Sequence, residues 1–153
     1  MTAADTDAIN GLTEDDYRKA FVEVAFLMNA FAFTIDNIMG GNTAPAGRIA
    51  GRDTAGKLPL ELNDPDLPEV IAALARHEQF ESGFGFSLTG DELTFDRCVI
   101  REMCAVRNHE PGGPLCKLFH SYFDGVVNGL LSRPVKSTFV SVGDECRLQT
   151  AVQ

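Results

Sequence analysis

Between Tyr17 and Ile38 a large apolar residue recurs at alternating steps of four and three: Tyr17, Phe21, Val24, Met28, Phe31, Ile35 and Ile38. One seam of an α-helix meets that spacing, whereas an extended chain would alternate every two residues. Thr13 stands where an N-cap belongs, and Asp16, three residues on, completes a capping box. Leu12 and Tyr17 fall at the positions of a hydrophobic staple. The helix should end at Gly40-Gly41, since a left-handed C-cap favours glycine. Val22, Phe26, Leu27 and Phe33 widen the apolar face and leave few positions for water. Two arrangements satisfy such a helix: burial at the centre of its own domain, or pairing with a second copy along the seam from Tyr17 to Ile38.

The stretch 42–58 is rich in Gly, Ala and basic residues and fits a short helix, in which Gly47 and Gly51 would let another backbone approach closely. Asp66 should cap a further helix with Pro68 in its first turn, running to about Gln79. The period then changes. Phe84, Phe86 and Leu88 alternate with small or polar residues, and Thr89 to Glu92 has turn composition. Leu93 to Cys104 reads as the returning strand of a hairpin. Asn108 to Pro114 is a loop, and Leu115 to Leu131 has the spacing of an amphipathic helix. Val135–Val142 and Cys146–Val152 form a last pair of strands around a Gly143-Asp144-Glu145 turn. The expected class is α+β: an antiparallel sheet of about four strands, with N-terminal helices and one helix between two hairpins. Residues 1–12 are expected to be a flexible tail, and residues 13–153 a single domain.

The formal net charge is −9, and the 13 Lys and Arg are scattered along the chain, so a nucleic-acid partner is not expected. No run reaches the roughly 18 consecutive apolar residues of a membrane span. The first eleven residues are polar and acidic, without the basic start or apolar run of a secretion signal. A cytoplasmic location follows as the expectation, and with it four free cysteines, Cys98, Cys104, Cys116 and Cys146.

Cys116 and His120 lie four apart on one helix, so both point to the same face. A thiolate and an imidazole so placed can share a zinc ion, with Cys104 and Cys146 completing a Cys₃His set. The same residues admit a nucleophilic reading, with Cys116 or Cys104 as thiolate and His120 or His109 as base. They also admit burial as plain apolar thiols. Phe84, Phe86, Phe119, Tyr122 and Phe123 fall on inward faces, where they either line a cavity for a small hydrophobic molecule or fill the core. Arg48 and Arg52, one turn apart, face either an anionic group or solvent.

The segment from Glu81 to Leu148 resembles the 4-vinyl-reductase domain family. The features carrying the likeness run in order: Gly83-Phe84-Gly85-Phe86 at the first strand, Pro114-Leu115-Cys116 at a helix start, Gly125 and Gly129 within that helix, and Gly143-Asp144-Glu145-Cys146-Arg147-Leu148 at the close. The resemblance implies a ligand-binding α+β domain, of the kind found in bacterial sensors, hydrocarbon-binding proteins and bacteriochlorophyll biosynthesis. Zinc-bearing members carry a glutamate and a cysteine in the strand before the final turn. Here Val135 to Val140 contains neither, so only Cys116 and Cys146 correspond to the family's ligands. The same C-terminal pattern is similar to the 2-amino-thiazoline-4-carboxylate hydrolase family, which implies a cysteine-dependent hydrolase of a small heterocyclic acid. The expectation from all of this is a homodimeric protein that binds a small apolar or aromatic molecule and serves a protein partner as sensor, carrier or accessory factor. The alternatives are that hydrolase and a zinc-binding structural dimer module.

Overall fold

The computed structural model describes residues 11–153, apart from the side chain of Gln79. The expected tail, residues 1–12, lies almost wholly outside them.

Helix α1 spans Glu14–Ile38. Its capping box is formed as the sequence indicates: the Asp16 backbone N–H donates to Thr13 Oγ1 at 3.1 Å, and Asp16 Oδ2 accepts from the Thr13 N–H at 2.8 Å. Gly40 and Gly41 take φ of +64° and +85° and end it, a conformation that costs glycine little. Helix α2 covers Ala44–Ala55. Helix α3, Leu67–Arg76, opens on a reciprocal cap between Asp66 and Glu69. His77 is extended, so α3 stops short of Gln79, and the one-turn α4 follows at Glu78–Glu81.

Strands β1 (Phe84–Thr89) and β2 (Glu92–Cys98) form the first hairpin. The strand expected to run to Cys104 ends at Cys98, and Val99–Val106 is helix α5. Two helices therefore separate the hairpins, α5 and then α6 at Pro114–Leu131. Strands β3 (Val135–Ser141) and β4 (Cys146–Val152) close the chain.

The four strands pair antiparallel in the order β1-β2-β4-β3. Along β4, Cys146, Leu148 and Thr150 are buried while Arg147, Gln149 and Ala151 are exposed, so one face of the sheet is covered and the other meets water. The covering layer is α6 with α3 and α4. Phe95, Leu93 and Leu148 meet Phe123, Val126, Val127, Val70, Leu74 and Phe80 in one apolar core. A buried polar link ties α6 to the sheet: Asp124 accepts from the Ser137 backbone N–H at 2.8 Å and from its hydroxyl at 2.6 Å.

Helices α2 and α6 pack with almost no side chain between them. A Cβ on Gly47 would lie 2.7 Å from the Cβ of Ser121, and one on Gly125 would overlap the Arg48 backbone. A second, smaller core joins α1 to α5 and α6 through Ala32, Met103, Cys104 and Leu115.

Candidate functional site

Helix α1 is fastened by one narrow strip. Ala32 is fully buried, Val22, Ala25, Phe26 and Asn29 are partly buried, and Arg107 of α5 pairs with Glu23. Arg107 also stacks over the Phe26 ring, 4.5 Å from its centroid, with His109 on the same ring at 5.3 Å. The heptad seam lies outside this strip except at Ile35, which is partly buried. Val24 is 58% exposed, Phe31 57% and Ile38 79%. The protomer thus does not bury its own seam. A run of exposed large apolar residues along one helix is the kind of surface that marks an interaction site. By length and composition the helix also meets the requirements of a membrane span, with an 18-residue window of mean hydropathy 1.4 that is only 6% buried. A search for unbroken apolar runs misses this window, because Glu23, Asn29 and Thr34 interrupt it.

The inner flank of the seam roofs an apolar cavity of about 540 Å³. Phe21, Val24, Ala25, Met28 and Ile35 of α1 form one wall, and Leu115, Leu118, Phe119 and Tyr122 of α6 the opposite one. Ala46, Gly47 and Ala50 of α2 lie at one end, Val99 and Ile100 of α5 at the other. The helix contacts that make this space come from small residues: Gly47 draws α2 onto α6, while Ala46 and Ala50 leave room beside it. The outer wall opens to solvent where Phe21, Val24 and Met28 are each about half exposed.

Of the five aromatic residues expected to line a cavity, Phe119 and Tyr122 do so. Phe86 and Phe123 are buried core residues, with ring centroids 5.1 Å apart in an edge-to-face contact. Phe84 stacks on Phe119 at 4.6 Å and fills the space between sheet and α6. The sheet is consequently not a wall of the cavity: its inward rings pack on one another. The residues that sequence reading did not assign to the cavity are those of the α1 seam and the small residues of α2. The seam's signal was its heptad spacing, which fits either a core face or a partner contact, and that of α2 was its run of small residues, which fits close backbone approach.

The expected metal set is not assembled. Among the described residues no group of three or more His, Cys, Asp or Glu side chains is placed to hold a metal ion. His120 is buried against the rings of Phe95, Phe119 and Phe139, and that burial lowers its pKa to about 4. Cys146 lies under Arg101, whose Nη1 is 3.6 Å from the sulfur. Cys104 sits on α5, where it meets Cys116 within hydrogen-bonding reach. Cys104 and Cys116 therefore do meet, at the start of α6, but His120, one turn on, is enclosed by rings and Cys146 lies by Arg101, so the four are not gathered.

Cys104 and Cys116 share a smaller cleft of about 250 Å³ with His109, Glu110, Phe26 and Phe33. Burial raises the pKa of both thiols, and of Cys98 nearby, so they are held protonated rather than as thiolates. All four cysteines are free. Arg48 and Arg52 face the side of α2 away from the apolar cavity, next to Lys136 of β3.

No family model, no curated protein and no solved structure matches this chain.

Proposed function

We propose that this protein is a homodimeric binding domain for a small, largely apolar molecule, held in the cavity between α1, α2, α5 and α6. It serves as a sensor, carrier or accessory factor. The observation that carries this reading is the cavity itself: about 540 Å³, lined almost wholly by apolar surface of aliphatic and aromatic side chains and a glycine. Ligand sites are commonly clefts of about 300–1,000 Å³ with mostly apolar walls, and this half-open cleft falls in that range.

The dimer belongs to the same reading. Phe21, Val24 and Met28 both wall the cavity and extend into the exposed seam, so a second copy's α1 laid on the seam would also close the cavity's open side. Bilayer insertion of α1 is the competing occupant of that face. Glu23, paired with Arg107, and Asp36 both lie within the helix and favour a protein partner over hydrocarbon.

A thiol-dependent hydrolase is the second reading, supported by the cleft that holds Cys104, Cys116 and His109 together. The raised thiol pKa values weigh against it.

Thermal unfolding with increasing naphthalene tests the cavity. A ligand that binds only the native state raises the melting temperature with its concentration. The wild type should show that rise, and Ala50→Phe, which places a ring in the cavity mouth, should abolish it while melting normally without naphthalene. Equal responses in both proteins, or none in the wild type, would overturn the reading.

A further inference from the structure

The scattered basic residues of the sequence are gathered by the fold. Two clefts lie on the opposite side of the α2–α6 pair from the apolar cavity, and both are lined by Arg48 and Lys136. The first, about 330 Å³, adds Arg52 and Asn128. The second, about 310 Å³, adds Lys117 and the hydroxyl side chains of Ser121 and Thr138. Four cations thus converge on one concave surface of a chain whose formal net charge is −9.

Among the described residues none of the four lies within salt-bridge distance of a carboxylate. The described salt bridges engage Arg18, Lys19, Lys57, Arg107 and Arg147, and every one of those lies elsewhere. The one side-chain carboxylate lining either cleft is Asp124; it interacts electrostatically with Arg48 and accepts two hydrogen bonds from Ser137, and the last residue of the chain, Gln153, borders the first cleft. Arg48 is the junction of the two clefts. Its Nε is buried and has no hydrogen-bond partner among the described residues. A buried donor left unmatched is costly, which favours a turn of the Arg48 side chain toward an acceptor bound in either cleft.

The geometry points to a second binding site here, for a compact multiply charged anion of the diphosphate or dicarboxylate class, with one anionic group in each cleft and Arg48 between them. Guanidinium and ammonium groups are the donors that recognise such oxygens, Arg in bidentate fashion and Lys as a point charge. The clefts are short and concave and the remaining surface is acidic, so an extended polyanion such as nucleic acid is repelled beyond them. The site is independent of the apolar cavity, and its test stands apart from that of the cavity.

Calorimetric titration at low ionic strength with inorganic pyrophosphate, and separately with succinate, tests the site and separates its two chemical sources. At least one probe should bind saturably with one equivalent per chain. Arg48→Gln and Lys136→Gln should each weaken it by about tenfold or more, the effect of losing one charge-assisted hydrogen bond. Lys57→Gln, which removes an exposed cation paired with Asp53, should leave it unchanged. Arg52→Gln, at an exposed position, provides the same test should the Arg48 variant fail to fold. No saturable binding of either probe up to about 10 mM, or equal affinity in all the variants, would overturn the assignment.

Discussion

Gly51 of α2 sits directly against the backbone of Tyr122 of α6, so closely that a Cβ on Gly51 would overlap the Tyr122 carbonyl oxygen. The apolar cavity and the basic clefts lie on the two sides of this contact, and both take their shape from it.

Gly51→Ala should therefore destabilise the fold well beyond an ordinary surface change. Overpacking costs about 1–3 kcal/mol, and here the obstructing atoms are backbone that cannot rotate away. Gly56→Ala is the control. Gly56 is exposed, has φ of −67°, and its Cβ would meet nothing nearer than 3.6 Å, so its change should be neutral or stabilising by up to about 1 kcal/mol. Urea unfolding of the two variants measures the contrast.

His120 should make the fold acid-sensitive. Its folded pKa of about 4 lies below the ordinary 6.5, so the unfolded chain binds the extra proton between those values. The stability contributed by the neutral imidazole is complete above pH 6.5 and is lost as pH falls toward 4, by up to about 1.4 kcal/mol per pH unit. Asp124 acts in the opposite sense. Burial raises its pKa, so just above 3.8 the folded state holds a proton that the unfolded state lacks, offsetting part of the loss at the acid end. Urea unfolding at pH 7 and pH 4.5 should show a larger loss in the wild type than in His120→Leu.

Much of the fold is written in short-range signals. Thr13 with Asp16 and Asp66 with Glu69 mark helix starts by hydrogen bonds that close within three residues, and the structure has both. Helix α5 carries no such mark. Its N-cap is Cys98, which makes no side-chain cap, and the alternation of Leu93 and Phe95 runs into Val99 and Ile100 without a breaker. The cavity was only half legible, because periodicity reports which residues avoid water and not whether the space between them is filled. Phe84, Phe86 and Phe123 share the inward pattern of Phe119, yet those three pack the core while Phe119 also borders the cavity. Of the basic clefts the sequence offered only the Arg48 and Arg52 pair: Arg48 and Lys136 are 88 residues apart and meet only across the packed α2 and β3.

Native thiols should react slowly. Cys98, Cys104 and Cys146 are buried, and the partly exposed Cys116 is held protonated by its surroundings. Intact mass after brief iodoacetamide treatment at pH 7.5 should show almost no modification, against four additions in denaturant. Rapid, selective alkylation of Cys104 or Cys116 would favour the hydrolase.

Leu27→Glu, beside the seam, and Phe31→Glu, on it, place charges at positions that are 56% and 57% exposed. Both should sediment as monomers where the wild type is a dimer, and both should lose any dependence of melting temperature on protein concentration. A wild type whose sedimentation is that of a monomer, but which floats with lipid vesicles, would assign the seam to a membrane surface.

The most direct measurement is native mass spectrometry of the protein as purified, followed by denaturing extraction and mass analysis of whatever is released. The expected result is a dimer of the 16.6 kDa chain carrying an apolar organic molecule, absent from Ala50→Phe prepared in parallel. A ligand-free monomer, with Ala50→Phe indistinguishable from the wild type, would contradict both the cavity's role and the seam's.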